Sequence, residues 1–361
     1  MRQLPGLAQK RRQGLKREVK VGKLILGGGN PVRIQSMTNT DTVDIPATLA
    51  QMAALEAAGC EIIRVAAYNI AAARAIAQLK KGTSMPIVAD VHFDYRIALE
   101  AIEAGADKIR INPGNIGSQQ KIRCVADAAK ERGIPIRVGA NTGSLASQYR
   151  GRERSDALVE SALANVRILE KCGFYDIVIA LKASDVPSTV AAYEKMNTLT
   201  DYPLHLGVTE AGGLKSSCIK SAMGIGALLL QGIGDTLRVS ITGDPVLEVG
   251  VAKDILRYAG KRSFGPEIIS CPTCARTKVG LERLVGEVER LVAGIEKPLK
   301  IAVMGCAVNG PGEARDADIG IAGGEGEGLI FIKGRPVKKV PEERLLVEFE
   351  KMLKEVFSIA F

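Results

Sequence analysis

Three cysteines toward the end of the chain carry its clearest chemistry. Cys271 and Cys274 form a Cys-x-x-Cys pair in the run Cys271-Pro272-Thr273-Cys274. Cys306 follows inside Gly305-Cys306-Ala307-Val308-Asn309-Gly310-Pro311-Gly312-Glu313. In a long chain whose start shows no apolar secretion core, this spacing is a metal or iron–sulfur layout and not a disulfide framework. Three thiolates leave one iron of a four-iron cluster without a cysteine, and Glu313 lies seven residues past Cys306. Structural zinc is the alternative, although the region has no second Cys-x-x-Cys pair and no histidine. The Cys-x3-Cys-x2-Cys motif of a radical-SAM barrel is absent. Cys60, Cys124, Cys172 and Cys218 stand singly among apolar or helical residues and read as small core hydrophobes.

A second set of chemical residues comes from strand parity. Side chains alternate along a strand, and in a barrel the outward face meets helices, so polar residues of one parity belong to the interior or the mouth. The runs around Arg64, Asp90–His92, Arg110–Asn112, Arg137–Asn141, Lys182, His205–Thr209 and Arg238–Thr242 all show this pattern. Arg64, Arg110, Arg137, Lys182 and Arg238 then converge on one end with few acids to balance them. Uncompensated burial of five cations would be costly, so they imply an anionic ligand, and planar guanidinium forks suit phosphate oxygens. Asp90, His92, Asn112, Asn141, His205 and Ser240 share the inward parity and join them as expected ligand contacts. Glu210, just past the seventh run, is an acid/base candidate.

The elements that must hold these residues follow from periodicity. Short β-rich runs recur eight times, at Val32–Thr38, Ile62–Ala67, Pro86–Val91, Lys108–Asn112, Pro135–Asn141, Asp176–Lys182, Pro203–Thr209 and Thr236–Thr242. Stretches of helical spacing such as Ala47–Ala58, Ile97–Ala104, Ala157–Lys171, Ser217–Gln231 and Val246–Ala259 separate or follow them. The fold class is α/β: a (β/α)8 TIM barrel, followed by a small α+β domain that carries the thiol loops. Gly59, Gly105, Gly133, Gly173 and Gly232 fall between helix and strand, where left-handed C-caps belong. After Lys261 strands and helices no longer alternate as crossovers. The expected order there is a helix over Val279–Val292, a strand over Lys300–Met304, a hairpin turning at Gly323–Gly328 and a closing helix over Glu342–Phe357. The expected domains are a basic arm over 1–23, the barrel over 24–262 and the α+β domain over 263–361.

Composition narrows the function classes. The 361 residues are 46% hydrophobic, enough for a sizeable core, and no apolar run approaches the ~18 residues of a membrane span. The cytoplasm is the expected location. Residues 1–23 hold +7 of the net charge of +9, so basicity is local and reads as a solvated arm. With no Trp and few other aromatics, base-stacking platforms are scarce, which argues against nucleic acid. Gly27-Gly28-Gly29 precedes the first barrel strand, so it is no dinucleotide fingerprint.

Long stretches of the chain resemble one family. They are IQSMTNTDT (34–42), VADVHFDYRIAL (88–99), RINPGN (110–115), RVGANTGSL (137–145), LHLGVTEAG (204–212), ISCPTCART (269–277) and VMGCAVNGPGEARDADIGIAGG (303–324). The family is 4-hydroxy-3-methylbut-2-enyl diphosphate synthase of the non-mevalonate isoprenoid pathway, and the resemblance runs from about Val19 onward. It implies reductive ring opening of 2-C-methyl-D-erythritol 2,4-cyclodiphosphate. It also implies a [4Fe-4S] cluster held by Cys271, Cys274, Cys306 and Glu313, with reduced flavodoxin or ferredoxin as electron donor. A two-domain chain of this kind implies a head-to-tail homodimer. Glu210, His92 and Asn309 are the candidates for proton transfer. The rival reading is a zinc-stabilised barrel lyase or transferase acting on a phosphorylated small molecule.

Overall fold

The structure, a computed structural model, describes residues 16–145, 149, 151–306, 312 and 314–359. The chain divides into two compact units, one ending at Arg262 and the other beginning at Ser263.

The first unit begins with a two-stranded antiparallel hairpin, β1 (Val19–Val21) and β2 (Leu24–Leu26). Eight parallel strands follow: β3 (Arg33–Met37), β4 (Ile62–Ala66), β5 (Ile87–Asp90), β6 (Lys108–Arg110), β7 (Ile136–Asn141), β8 (Ile177–Lys182), β9 (His205–Leu206) and β10 (Thr236–Leu237). Each of the eight expected β-rich runs contains one of them. The sheet runs in sequence from β3 to β8 and continues from β3 through β10 to β9. A parallel bridge from Ile179 to Leu204, with the Ile179 N–H donating to the Pro203 carbonyl, brings β8 alongside β9. This is a TIM barrel.

Local chemistry sets the helix boundaries. Asp44, Asn69, Asp94 and Asp185 each cap a helix by accepting a backbone N–H of its first turn. At the other end, Gly59, Gly105, Gly133, Gly173 and Gly232 all have positive φ, as C-capping glycines do. The stretch expected as one helix over Ser217–Gln231 is helical at Leu214–Ser221 and Ala227–Leu230, with a π turn at Ala222–Gly226 between them.

The hairpin corrects the expected arm. Val19, Val21 and Leu26 are buried against Ile62, Val88 and Val178, which point into the barrel near the starts of their strands. Burying each such side chain is worth about 2 kcal/mol. Residues 16–23 therefore belong to the barrel floor and are not a solvated tail. The charges there masked a short Val-x-Val alternation, which gains stability only by closing a barrel.

The second unit is a five-stranded mixed sheet in sequential order: β11 (Glu267–Ser270), β12 (Lys300–Met304), β13 (Ile319–Gly323), β14 (Glu327–Ile332) and β15 (Arg335–Pro341). β11, β12 and β13 are parallel, and β13, β14 and β15 are antiparallel. The expectation that crossovers end after Lys261 is thus wrong for the first part, where β11, helix Leu281–Val292 and β12 form a βαβ unit. The four-residue β11 is too short to register as a pattern beside Pro266 and Pro272. Helices Leu281–Val292 and Leu345–Phe357 share one apolar cluster with Ile301, Val303, Ile319, Ile321 and Ile330. The other cluster contains small residues, with Ala302, Ala314, Ala317 and Ala322 around Met304 and Phe331. Gly324 to Gly326 make a tight hairpin turn, with the Gly324 N–H donating to the Glu327 carbonyl at 2.7 Å.

Candidate functional site

The barrel's interior polar residues climb the strands to a cavity of about 210 Å³ at the C-terminal end of the sheet. Arg64, Arg110, Arg137, Lys182 and Arg238 all line it, together with Asp90, His92, Asn141, Ser240 and Thr209. Strand parity accounts for this convergence, since Asp90, Arg110 and Arg137 lie in matched register on three neighbouring strands and Arg64 sits two residues lower, with the same parity, on the next. Gly207 makes room just past the end of β9. A Cβ there would lie 3.1 Å from the Lys182 Nζ and 2.9 Å from the Arg238 carbonyl.

The cations fall into two groups. Arg110 Nη1 lies 2.8 Å from Asp90 Oδ1 and 3.0 Å from His92 Nε2, and Arg64 Nε lies 3.8 Å from Asp90 Oδ2. Burial raises the Asp90 pKa, but the Arg64 and Arg110 guanidiniums more than offset it and hold the carboxyl well below its usual range. Arg64 is itself lowered to about 10, by burial against the pull of Asp90, and stays charged at neutral pH. Arg238 donates from Nη2 and Nε to the two oxygens of Glu248, at 2.8 and 3.1 Å. Glu248 also accepts from the Ser36 hydroxyl and the Ile241 N–H, and it is 2% exposed.

Arg137 and Lys182 form the second group. Neither has an ion pair among the described residues, and the Nη1 of Arg137 has no hydrogen-bond partner there. Burial first, then the neighbouring guanidiniums, lowers both pKa values well below their ordinary ones. An arrangement of this kind is stabilised by an anion whose oxygens accept from several donors at once.

Other expected site residues lie elsewhere. His205 is fully buried in the barrel, below the mouth, and neither ring nitrogen has a hydrogen-bond partner among the described residues. It opens β9, so inward parity puts it deep. Asn112 does not line the cavity. Its Oδ1 accepts from the Gly114 N–H at 3.2 Å and caps the short helix Pro113–Ile116. Glu210 is exposed, in the left-handed region at φ 53, and does not line the cavity either. Such a conformation costs a non-glycine residue about 1 kcal/mol and often marks a functional loop. Asn309 and Glu313 lie outside the described residues. Two residues that sequence reasoning missed are Glu248, on a helix where strand parity says nothing, and Lys108, which shares the parity of Arg110.

The thiol loops leave the ends of two adjacent parallel strands. Ser270 pairs with Val303, so Cys271 and the Gly305–Cys306 turn emerge side by side. The Gly305 N–H donates to Cys271 Sγ at 3.2 Å, and the Lys278 N–H donates to the Gly305 carbonyl at 3.0 Å. Gly305 is needed for this approach, because a Cβ there would lie 3.0 Å from Thr277. Cys274 is exposed, and hydrogen bonds from Arg276 lower its thiol pKa toward the thiolate. Among the described residues no three Cys, His, Asp or Glu side chains stand at metal-binding spacing. The donor chemistry fits an iron–sulfur group: thiols just past two adjacent parallel strands, one biased to the thiolate and one already accepting a backbone N–H.

Comparison with known proteins places both units. A family model described as the GcpE TIM-barrel domain matches residues 16–253, and one described as the GcpE protein C-terminal domain matches 267–355. The chain is 59% identical over 348 residues to a 4-hydroxy-3-methylbut-2-en-1-yl diphosphate synthase (flavodoxin) of Caldanaerobacter subterraneus, covering 94% of this chain and 98% of that protein. It is 56% identical over 338 residues to the protein of the same name from Geobacillus kaustophilus, covering 93% and 90%. Among solved structures, a Yersinia pestis dihydropteroate synthase aligns with a TM-score of 0.50 at 11% identity, over 68% of this chain and all of that one. This likeness concerns the fold alone. With both domain models matched in order and more than half of the residues shared with these relatives over nearly its whole length, the chain belongs to the GcpE family, the 4-hydroxy-3-methylbut-2-en-1-yl diphosphate synthases.

Proposed function

We propose that this chain catalyses the reductive ring opening of 2-C-methyl-D-erythritol 2,4-cyclodiphosphate to 4-hydroxy-3-methylbut-2-enyl diphosphate, with loss of water. The observation that carries the reading is the pair of buried Arg137 and half-buried Lys182, which line the barrel mouth with no carboxylate partner among the described residues. A diphosphate supplies the missing charge. Arg110 and Arg64 reach it already oriented by Asp90, and Arg238 is oriented by Glu248. These three arginines need little reordering on binding, which favours both affinity and transition-state stabilisation as charge shifts onto the departing phosphate oxygen.

Cys271, Cys274 and Cys306 would hold a [4Fe-4S] cluster with Glu313 on the fourth iron. Bound there, the cluster supplies one-electron reduction and a Lewis-acidic iron with an exchangeable ligand. The Gly305 N–H on Cys271 Sγ and the Arg276 contacts on Cys274 stabilise negative charge on the two sulfurs, which eases reduction. Proton delivery has three candidate residues. His92, fixed by Arg110, is one candidate, and Glu210 on its strained loop and Asn309 are the others. Reduced flavodoxin is the proposed donor, a head-to-tail homodimer the proposed assembly, and the cytoplasm the proposed location.

Metal analysis tests the cluster assignment. Protein purified without oxygen should be brown and carry about four irons per chain. Colourless protein with one zinc per chain would overturn it and favour a non-redox lyase.

A further inference from the structure

The barrel interior beneath the mouth holds a second polar set that the reaction above leaves without a task. Lys108 is fully buried, and its Nζ reaches Gln35 Oε1 at 3.4 Å. β6 and β3 are not neighbours in the sheet, so this contact crosses the inside of the barrel. His205 on β9 and Thr236 on β10 are also fully buried, and the two residues are in register with each other. Gln35 Nε2, both His205 ring nitrogens, Thr236 Oγ1 and Arg137 Nη1 have no hydrogen-bond partner among the described residues. Below them the floor of Val19, Val21 and Leu26 is apolar.

The groups facing Lys108 are almost all basic. They are Arg64 on β4, Arg137 on β7 and His205 on β9. Gln35 and Thr236 add no charge. Asp90 on β5, the carboxylate of the mouth cavity, is engaged by Arg64 and Arg110. Burial, then Arg137 and Arg64, pushes the Lys108 amine well below its ordinary pKa. A buried ammonium with no counter-charge sheds its proton sooner than bear that cost.

An anion in the mouth reverses the local field. Lys108 lies two residues below Arg110, about 7 Å along the strand. At about 10 Å and an effective dielectric of about 20, each negative charge raises the pKa of an amine by roughly one unit. We propose that the barrel takes up a proton from solvent when an anion fills its mouth, and that the proton settles on the Nζ of Lys108. This rests on the mouth being the diphosphate site. The ligand would then bring a proton into the barrel with it, stored beneath the reacting end and sealed from solvent on the floor side.

Calorimetry on the cluster-loaded protein under anaerobic conditions tests it, with inorganic diphosphate titrated in two buffers of different ionisation enthalpy. The difference in heat counts protons exchanged per anion bound. Lys108→Met should lower the uptake by about half a proton or more relative to the parent chain. Binding with the same proton count in both would overturn this proposal and leave the diphosphate site standing. No binding by the parent chain would overturn both. Should the variant fail to fold, carbon-13 NMR of ε-labelled lysine in the parent chain decides. A buried lysine signal should move from the neutral to the charged position on adding diphosphate, and buried lysines already charged in the free protein would overturn the proposal.

Discussion

Arg110 Nη1 donates to Asp90 Oδ1 at 2.8 Å while the other oxygen of the same carboxylate faces Arg64 Nε at 3.8 Å, so one buried acid, 4% exposed, orients two cations of the mouth. Removing its charge leaves two guanidiniums uncompensated in a low-dielectric site. Asp90→Asn should therefore cost about 3 kcal/mol of stability at neutral pH, read by urea unfolding of the barrel. The sign with pH follows from the lowered pKa of Asp90. Its stabilisation is complete above the unfolded carboxyl value near ~3.9 and is lost as pH falls from there through the folded value. Parent and variant should differ fully above about pH 4 and draw together progressively as pH falls below it.

Arg137 behaves in the opposite way, because it has no acid to lose. Arg137→Met should leave the free barrel as stable as the parent or about 1 kcal/mol more so. The same change should weaken diphosphate binding about 100-fold, as expected when one member of a buried charge contact is removed. Unfolding and calorimetry on one preparation give both numbers. A loss of stability with unchanged binding would show that Arg137 serves the fold.

Cys306→Ser should lose the broad absorption near ~400 nm and most of the iron while the barrel unfolds as before. Iron analysis with urea unfolding separates the two effects. An intact four-iron cluster in the variant would remove Cys306 from the ligand set.

The proposed homodimer has a genetic-style test. Arg137→Met and Cys306→Ser chains, each inactive alone, should regain about a quarter of the parent activity when mixed and allowed to exchange, because each hybrid dimer holds one site with both parts intact. A mixture as inactive as its components would indicate that barrel and cluster act within one chain.

Much of this site was legible in the sequence, for a geometric reason. Alternation along a strand does not depend on neighbours, so Arg64, Asp90, Arg110, Arg137 and Arg238 could be placed inward without coordinates. Parity gives direction but no depth. Lys182 ends β8 and reaches the mouth, whereas His205 opens β9 and sinks beneath it. Past the end of a strand parity is no longer enforced: His92 and Arg238 still reach the mouth, but Asn112, two residues beyond the end of β6 at Arg110, caps a helix. Glu248 was invisible because it reaches Arg238 from a helix, a contact set by packing. The floor hairpin and β11 were missed because three or four residues carry too little periodicity, and tertiary burial decides their conformation.

The most direct test of the account is turnover of the cyclic diphosphate by protein prepared without oxygen, with reduced flavodoxin, counting electrons against product. The account predicts hydroxymethylbutenyl diphosphate with two electrons consumed per molecule formed. Ring opening that consumes no electrons, or no product from cluster-loaded protein, would contradict it.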